Sequence, residues 1–158
     1  MVSESLYTSS RQTCVMHRML FSLYSRGTLS RTGMNFTISQ TAKSYPRHPY
    51  EDMKDAILGR KYVLSLIFVG EKRAQALNKQ YRNATYIPNV LSFPLDKNVG
   101  EIYITPRIAK RESKKIGMTP NGYTGFLFIH GLLHLKGYPH GATMEKAEKK
   151  YCIQYKLK

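Results

Sequence analysis

Acidic residues are scarce in this chain: 10 Asp and Glu stand against 25 Lys and Arg in 158 residues, a formal charge of +15. Such a field draws phosphate polyanions and says little about fold. Nucleic acid is therefore the obvious class of partner, because neutralising phosphates releases counterions. A merely solvated basic surface is the bland alternative. Cysteine is nearly missing too. Cys14 and Cys152 stand far apart and form no framework of the kind that staples secreted domains. Cys152 falls in a helical pattern, where a buried thiol is the simpler reading, and a reducing, intracellular compartment follows. No apolar run approaches the roughly 18 residues that span a bilayer, which excludes a membrane helix. Repeats and low-complexity tracts are absent, and the length suits one domain with a real core.

Lysine is missing from the first 33 residues, which carry four arginines, Arg11, Arg18, Arg26 and Arg31, and one acid, Glu4. This Ser-, Thr- and Arg-rich segment reads as a disordered tail, either a presequence or sequence ahead of a misassigned start. The expected domains are thus a tail at 1–33 and a folded unit at 34–158. The first reading of the tail puts the protein in a mitochondrion or plastid, the second in the cytoplasm.

From Met34 strands and helices alternate. "MNFTIS" makes a first strand, and "PYEDMKDAILG" a helix with Pro49 at its start and Gly59 at its end. "KYVLSLIFVG" is β-branched and aromatic, the composition of a central strand. "EKRAQALNKQYR" has helical spacing, and "VLSFPL" reads as a strand cut short by Pro94. "EIYIT" is a further strand, and "PRIAKRESKKIG" a charged helix. "NGYTGFLFIHGLLHLKG" is an apolar helix with Asn121 as a possible cap, buried on most sides, and a last charged helix covers 142–157. This order predicts an α+β fold: one small domain, a mixed sheet of about four strands with helices packed on it.

The chemistry-bearing stretch is "HGLLHLKGYPH", which holds three of the five histidines. His130 and His134 are four apart on the apolar helix and project from one face. Gly137 lets the chain leave the helix sharply, and His140 returns as a third donor. Three imidazoles with an open fourth position suit a catalytic zinc at the end of a central buried helix. Satisfied core histidines beside a turn are the bland alternative. The spacing agrees with the metzincin pattern at His130, His134, Gly137 and His140, but Gly131 stands where a zinc peptidase keeps its glutamate base. That makes a peptidase the weaker reading. In so basic a chain, the phosphoryl group of a nucleic acid is the natural electrophile for such an ion, with an arginine expected nearby.

"HGLLHLKGYPH" is similar to the signature of the YbeY endoribonucleases, H-G-x-L-H-L-x-G-Y-D-H, and "LNKQYRNATYIPNVLSFPL" with "GEIYI" resembles two further segments of that family. The resemblance runs from about Met34 to the end. It implies a zinc-dependent endoribonuclease specific for single-stranded RNA. Such an enzyme acts in rRNA maturation at the small-subunit 3′ end and in ribosome quality control. It implies one Zn2+ held by His130, His134 and His140. Arg82 is implied as the catalytic and phosphate-binding arginine, and Ser92 as a residue that faces the cleft or only satisfies backbone groups. Expected partners are rRNA and the small ribosomal subunit, with neither membrane nor DNA. Three features depart from the family: Pro139 replaces an aspartate, Pro88 a threonine, and the last helix is more basic. Pro139 and the basic end keep open an alternative, a non-catalytic ribosome- or RNA-binding assembly factor with a structural metal.

Overall fold

The computed structural model describes residues 29–33, 35–42 and 44–158. Five strands form one mixed sheet: β1 (Leu29–Gly33), β2 (Phe36–Gln40), β3 (Val63–Phe68), β4 (Val90–Asp96) and β5 (Val99–Ile104). Their order is β1-β2-β3-β5-β4, with β2, β3 and β5 parallel and both outer strands antiparallel to their neighbours. Five α-helices accompany it: α1 (Tyr50–Leu58), α2 (Glu71–Arg82), α3 (Pro106–Ser113), α4 (Pro120–Leu135) and α5 (Ala142–Gln154). Among the described residues no helix is long and apolar enough to cross a membrane.

The expected α+β architecture is present, and the sheet has one strand more than the sequence suggests. That strand, β1, comes from the last residues of the leading segment; the remainder of the segment, with Cys14, lies outside the described residues.

The central strand β3 explains its own composition. Leu64, Leu66 and Phe68 point to one face of the sheet and Ile67 and Val69 to the other, and all five are buried. A strand covered on both faces reads as a continuous apolar run. On the first face α1, α4 and α5 close the larger core through residues such as Met53, Phe128 and Met144. On the second, Ala74 and Leu77 of α2 meet Leu91, Phe93 and Tyr103.

Two element boundaries differ from expectation for physical reasons. β4 does not stop at Pro94 but continues to Asp96. It is an edge strand bonded only to β5, so the missing N–H of proline costs no ladder bond, and the pairing shifts register between Pro94 and Asp96. The α4 helix begins at Pro120, and its cap is Thr119, whose hydroxyl accepts from Gly122 N–H at 3.0 Å; Asn121 lies inside the first turn.

The last helix ends at Gln154 rather than running on to Leu157, and Lys156 takes a positive φ of 53°. The chain then turns back over α4. Lys158 C=O accepts from Thr119 N–H at 2.9 Å and from the Thr119 hydroxyl. The Leu157 side chain lies against Gly125, where an added Cβ would come within 2.7 Å of it.

Candidate metal centre

The apolar composition of α4 places it where the sequence suggests, buried along most of its length with Leu127, Phe128, Ile129, Leu132 and Leu133 almost wholly covered. His130 and His134 leave this helix on one side and are half-buried. The helix stops after Leu135, and Gly137 takes φ 94°, a left-handed conformation that glycine adopts without a Cβ clash. That turn brings back His140, which is exposed. One nitrogen from each of the three rings lies within 4.8 Å of the others, close enough to hold a metal ion between them.

The hydrogen bonds around the rings decide what that arrangement can do. His134 Nδ1 lies 3.2 Å from Tyr138 C=O, which can only accept, so the ring proton sits on Nδ1. His130 Nδ1 lies 2.7 Å from Glu148 Oε1 on α5, and the carboxylate fixes a proton there in the same way. Both Nε2 atoms are left as lone pairs in the neutral rings, yet they face each other at 3.0 Å. Two lone pairs at that distance repel unless a cation or a proton lies between them. Placing that proton on His134 is a poor remedy, because its pKa is pushed down to about 4, first by burial and then by repulsion from the neighbouring His130 and His140 imidazoles whenever these are protonated. A divalent cation fits this donor set, since it takes neutral imidazoles and leaves room for a further ligand.

Arg82 is the last residue of α2 and is exposed. Its charge is among the influences that lower the His134 pKa, so its field reaches the imidazoles. Among the described residues it has no carboxylate partner within salt-bridge distance. The helix ends there because Asn83 adopts a left-handed φ of 51°. Ser92 is half-buried at the middle of β4, paired with Ile102. It stands two residues from Val90 and so on the same face, the one α4 covers.

Gly131, where a peptidase would keep its base, faces the sheet. A Cβ there would meet the Ile102 side chain at 3.1 to 3.4 Å, so α4 lies close on β5 and any larger residue would make Ile102 give way. The position cannot present a carboxylate to the histidines.

Sequence reasoning missed Glu148. It lies on the same side of α5 as buried Met144 and half-buried Tyr151 and Cys152, at helical spacing. An acid on the covered face of an amphipathic helix was the available signal. It supplies an imidazole-orienting carboxylate, the role that Pro139 cannot fill; Pro139 itself is exposed in the turn.

Beside the histidines lies a cavity of about 280 Å³ between the start of β4, α4 and α5, with His130 and His140 in its wall. At its far end Asn89 Nδ2 donates to Glu112 Oε2 at 2.7 Å and lies 3.3 Å from the Tyr123 hydroxyl, which donates to the same Glu112 oxygen at 3.2 Å. Burial, followed by the Glu112 charge, raises the Tyr123 pKa to about 12, so that hydroxyl keeps its proton.

Comparison with known proteins gives a consistent answer. The profile of the family described as endoribonuclease YbeY matches residues 34–155. A protein of that name from Mesoplasma florum is 35% identical over 125 residues, covering 66% of this chain and 74% of its own. The namesake from Bdellovibrio bacteriovorus is 38% identical over 93 residues, covering 58% of this chain and 62% of its own. That from Mycoplasma mycoides is 41% identical over 88 residues, 49% of this chain and 54% of its own.

Proposed function

The chain belongs to the endoribonuclease YbeY family, and on that premise we propose that it is a zinc-dependent endoribonuclease of rRNA maturation that cuts single-stranded RNA. The observation that carries this reading is the pair of facing Nε2 lone pairs, 3.0 Å apart, on rings whose Nδ1 atoms are already engaged. His130, His134 and His140 would hold one Zn2+. When bound, such an ion supplies Lewis acidity toward a phosphoryl oxygen and makes a nearby water more acidic.

The remaining work belongs to the chain's own groups. Glu148 and the Tyr138 carbonyl fix the orientation of two imidazoles, so the donor set needs little rearrangement when it takes its ion. Arg82 offers a guanidinium whose field reaches them and which has no carboxylate partner among the described residues, suited to bind a phosphate and the charge that grows on it during cleavage. Ser92, on the same face of β4 as Val90, is the second polar group offered to the strand. Excess positive charge elsewhere on the surface draws the RNA in. Substrates at the 3′ end of the small-subunit rRNA, contact with that subunit and a part in ribosome quality control fit the same reading.

The test is elemental analysis joined to cleavage of an unstructured and a hairpin RNA, with and without chelator. Zinc near one per chain, cutting confined to the unstructured strand and loss of cutting on chelation are expected. His134→Ala should lose both metal and cleavage, whereas Arg82→Glu should keep the metal and lose cleavage. Cutting that persists in both variants while RNA binding falls places the chemistry elsewhere. Metal-loaded protein that binds RNA and cuts none points to an assembly factor.

A further inference from the structure

The chain carries a formal charge of +15, yet the cavity beside the histidines has two carboxylates in its wall. Glu145 and Glu148 stand in its wall, and among the described residues Glu145 has no ion-pair partner. A phosphate is repelled there, and Arg82 and the histidines already offer phosphate a better place. The other walls suit an aromatic ring. Tyr123 and Phe126 lie stacked, centroids 5.7 Å apart with 12° between planes, and Phe126 is 6.1 Å from the His130 ring. Phe126 is only partly buried and lines the cavity, so part of its ring is open to a ligand. A volume of about 280 Å³ is at the lower end of small-molecule sites and suits one planar group rather than a stretch of chain.

We propose that this cavity is a nucleobase subsite: it takes the base next to the cleaved phosphate, stacks it on Phe126 and reads an exocyclic amine with Glu145. The proposal rests on the nuclease reading above. A carboxylate only accepts hydrogen bonds, so it satisfies the N4 amine of cytosine and faces the O4 lone pairs of uracil unfavourably. The groups at the far end are spoken for. Asn89 Oδ1 accepts from Val90 N–H at 2.6 Å, and Asn89 Nδ2 and the Tyr123 hydroxyl serve Glu112. Of the two carboxylates in the wall, Glu148 is committed through one oxygen to His130, which leaves Glu145 as the reader. Base choice thus falls to a side chain outside the metal ligands.

The test compares two short single-stranded RNAs that differ at one position beside the cut, cytidine in one and uridine in the other. The two bases share ring size, so stacking is nearly constant and the comparison reads the pairing edge: an N4 amine beside an N3 acceptor in cytosine, an O4 acceptor beside an N3–H donor in uracil. The cytidine strand should be cut about tenfold faster, the usual size of one well-placed polar contact. Glu145→Gln, which can donate as well as accept, should bring the ratio close to one by speeding the uridine strand. Phe126→Leu should weaken both strands alike through KM, by about tenfold as for loss of a stacking ring.

A second arm does not depend on cleavage. Cytidine and uridine, free of phosphate, are titrated into the metal-loaded protein while the ring signals of Tyr123 and Phe126 are followed by NMR. Cytidine should shift them at lower concentration than uridine, and Glu145→Gln should erase that difference. Equal cutting of both strands with no ring shifts removes the subsite and leaves the nuclease reading standing. Ring shifts with a cytidine preference, but no cutting of any strand, keep the subsite and remove the nuclease reading. A preference for cytidine that survives in Glu145→Gln overturns the role of Glu145.

Discussion

At the scale of single residues, the imidazoles depend on groups that are not ligands. Glu148 holds the His130 ring through a 2.7 Å contact, and it reaches that ring from a different helix. Removing such an orienting carboxylate typically weakens metal affinity by about 10- to 100-fold. Glu148→Gln should therefore shift zinc affinity by that amount in a chelator competition while circular dichroism stays unchanged. Cys152 makes a second prediction. Burial, aided by the Glu148 charge, raises its thiol to about 11. An unfolded cysteine titrates near 8.5, so the fold favours the protonated thiol. The resulting stability is complete below the unfolded value and is lost as pH rises through the folded one. Iodoacetamide should label Cys152 slowly at pH 8, followed by peptide mapping to separate it from Cys14. Cys152→Ala should lack the part of the alkaline destabilisation that appears between those two values. The histidine trio was legible in the sequence because a four-residue spacing and a glycine turn are local signals. Glu148 was harder to read, since it lies 18 residues from the ring it holds and its position depends on how α5 packs.

At the scale of elements, α4 fits its surroundings through its small residues. Gly131 leaves just enough room for Ile102 of β5. Gly131→Glu, which would complete the peptidase pattern, pushes a carboxylate against the sheet. It should cost about 2 to 4 kcal/mol in denaturant unfolding through overpacking and buried charge, and yield no cleavage of a peptide panel. The cap of the same helix offers a milder test. Thr119→Ala should cost about 1 kcal/mol, because Gly122 N–H loses its acceptor. Most elements were readable from periodicity, including α4 and the doubly covered β3. Where the reading slipped, tertiary context decided: Pro94 continues a strand only because β4 lies at the sheet edge, which no local pattern reveals.

For the whole molecule, the strand order β1-β2-β3-β5-β4 was not legible, because pairing partners depend on long-range packing rather than on any one segment. The antiparallel β1 illustrates this, drawn from a stretch whose composition resembles a tail. Deleting residues 1–28 should leave the melting temperature unchanged, whereas deleting 1–33 removes β1 and opens the edge of β2. The second truncation should melt several degrees lower and self-associate in size-exclusion chromatography. The charge of +15 predicts that RNA affinity falls linearly on a log–log plot against salt. Arg82→Glu should make that slope shallower by about one phosphate contact or slightly more.

Lys158 fastens the first turn of α4 at Thr119 from 39 positions further along the chain. During synthesis the histidine-bearing helix therefore leaves the ribosome well before its fastening does. Until Leu157 and Lys158 take their places, the Gly122 and Gly125 side of that helix stands bare. Helix α4 thus reaches its finished setting late, after α5 is in place and the chain has turned back over it.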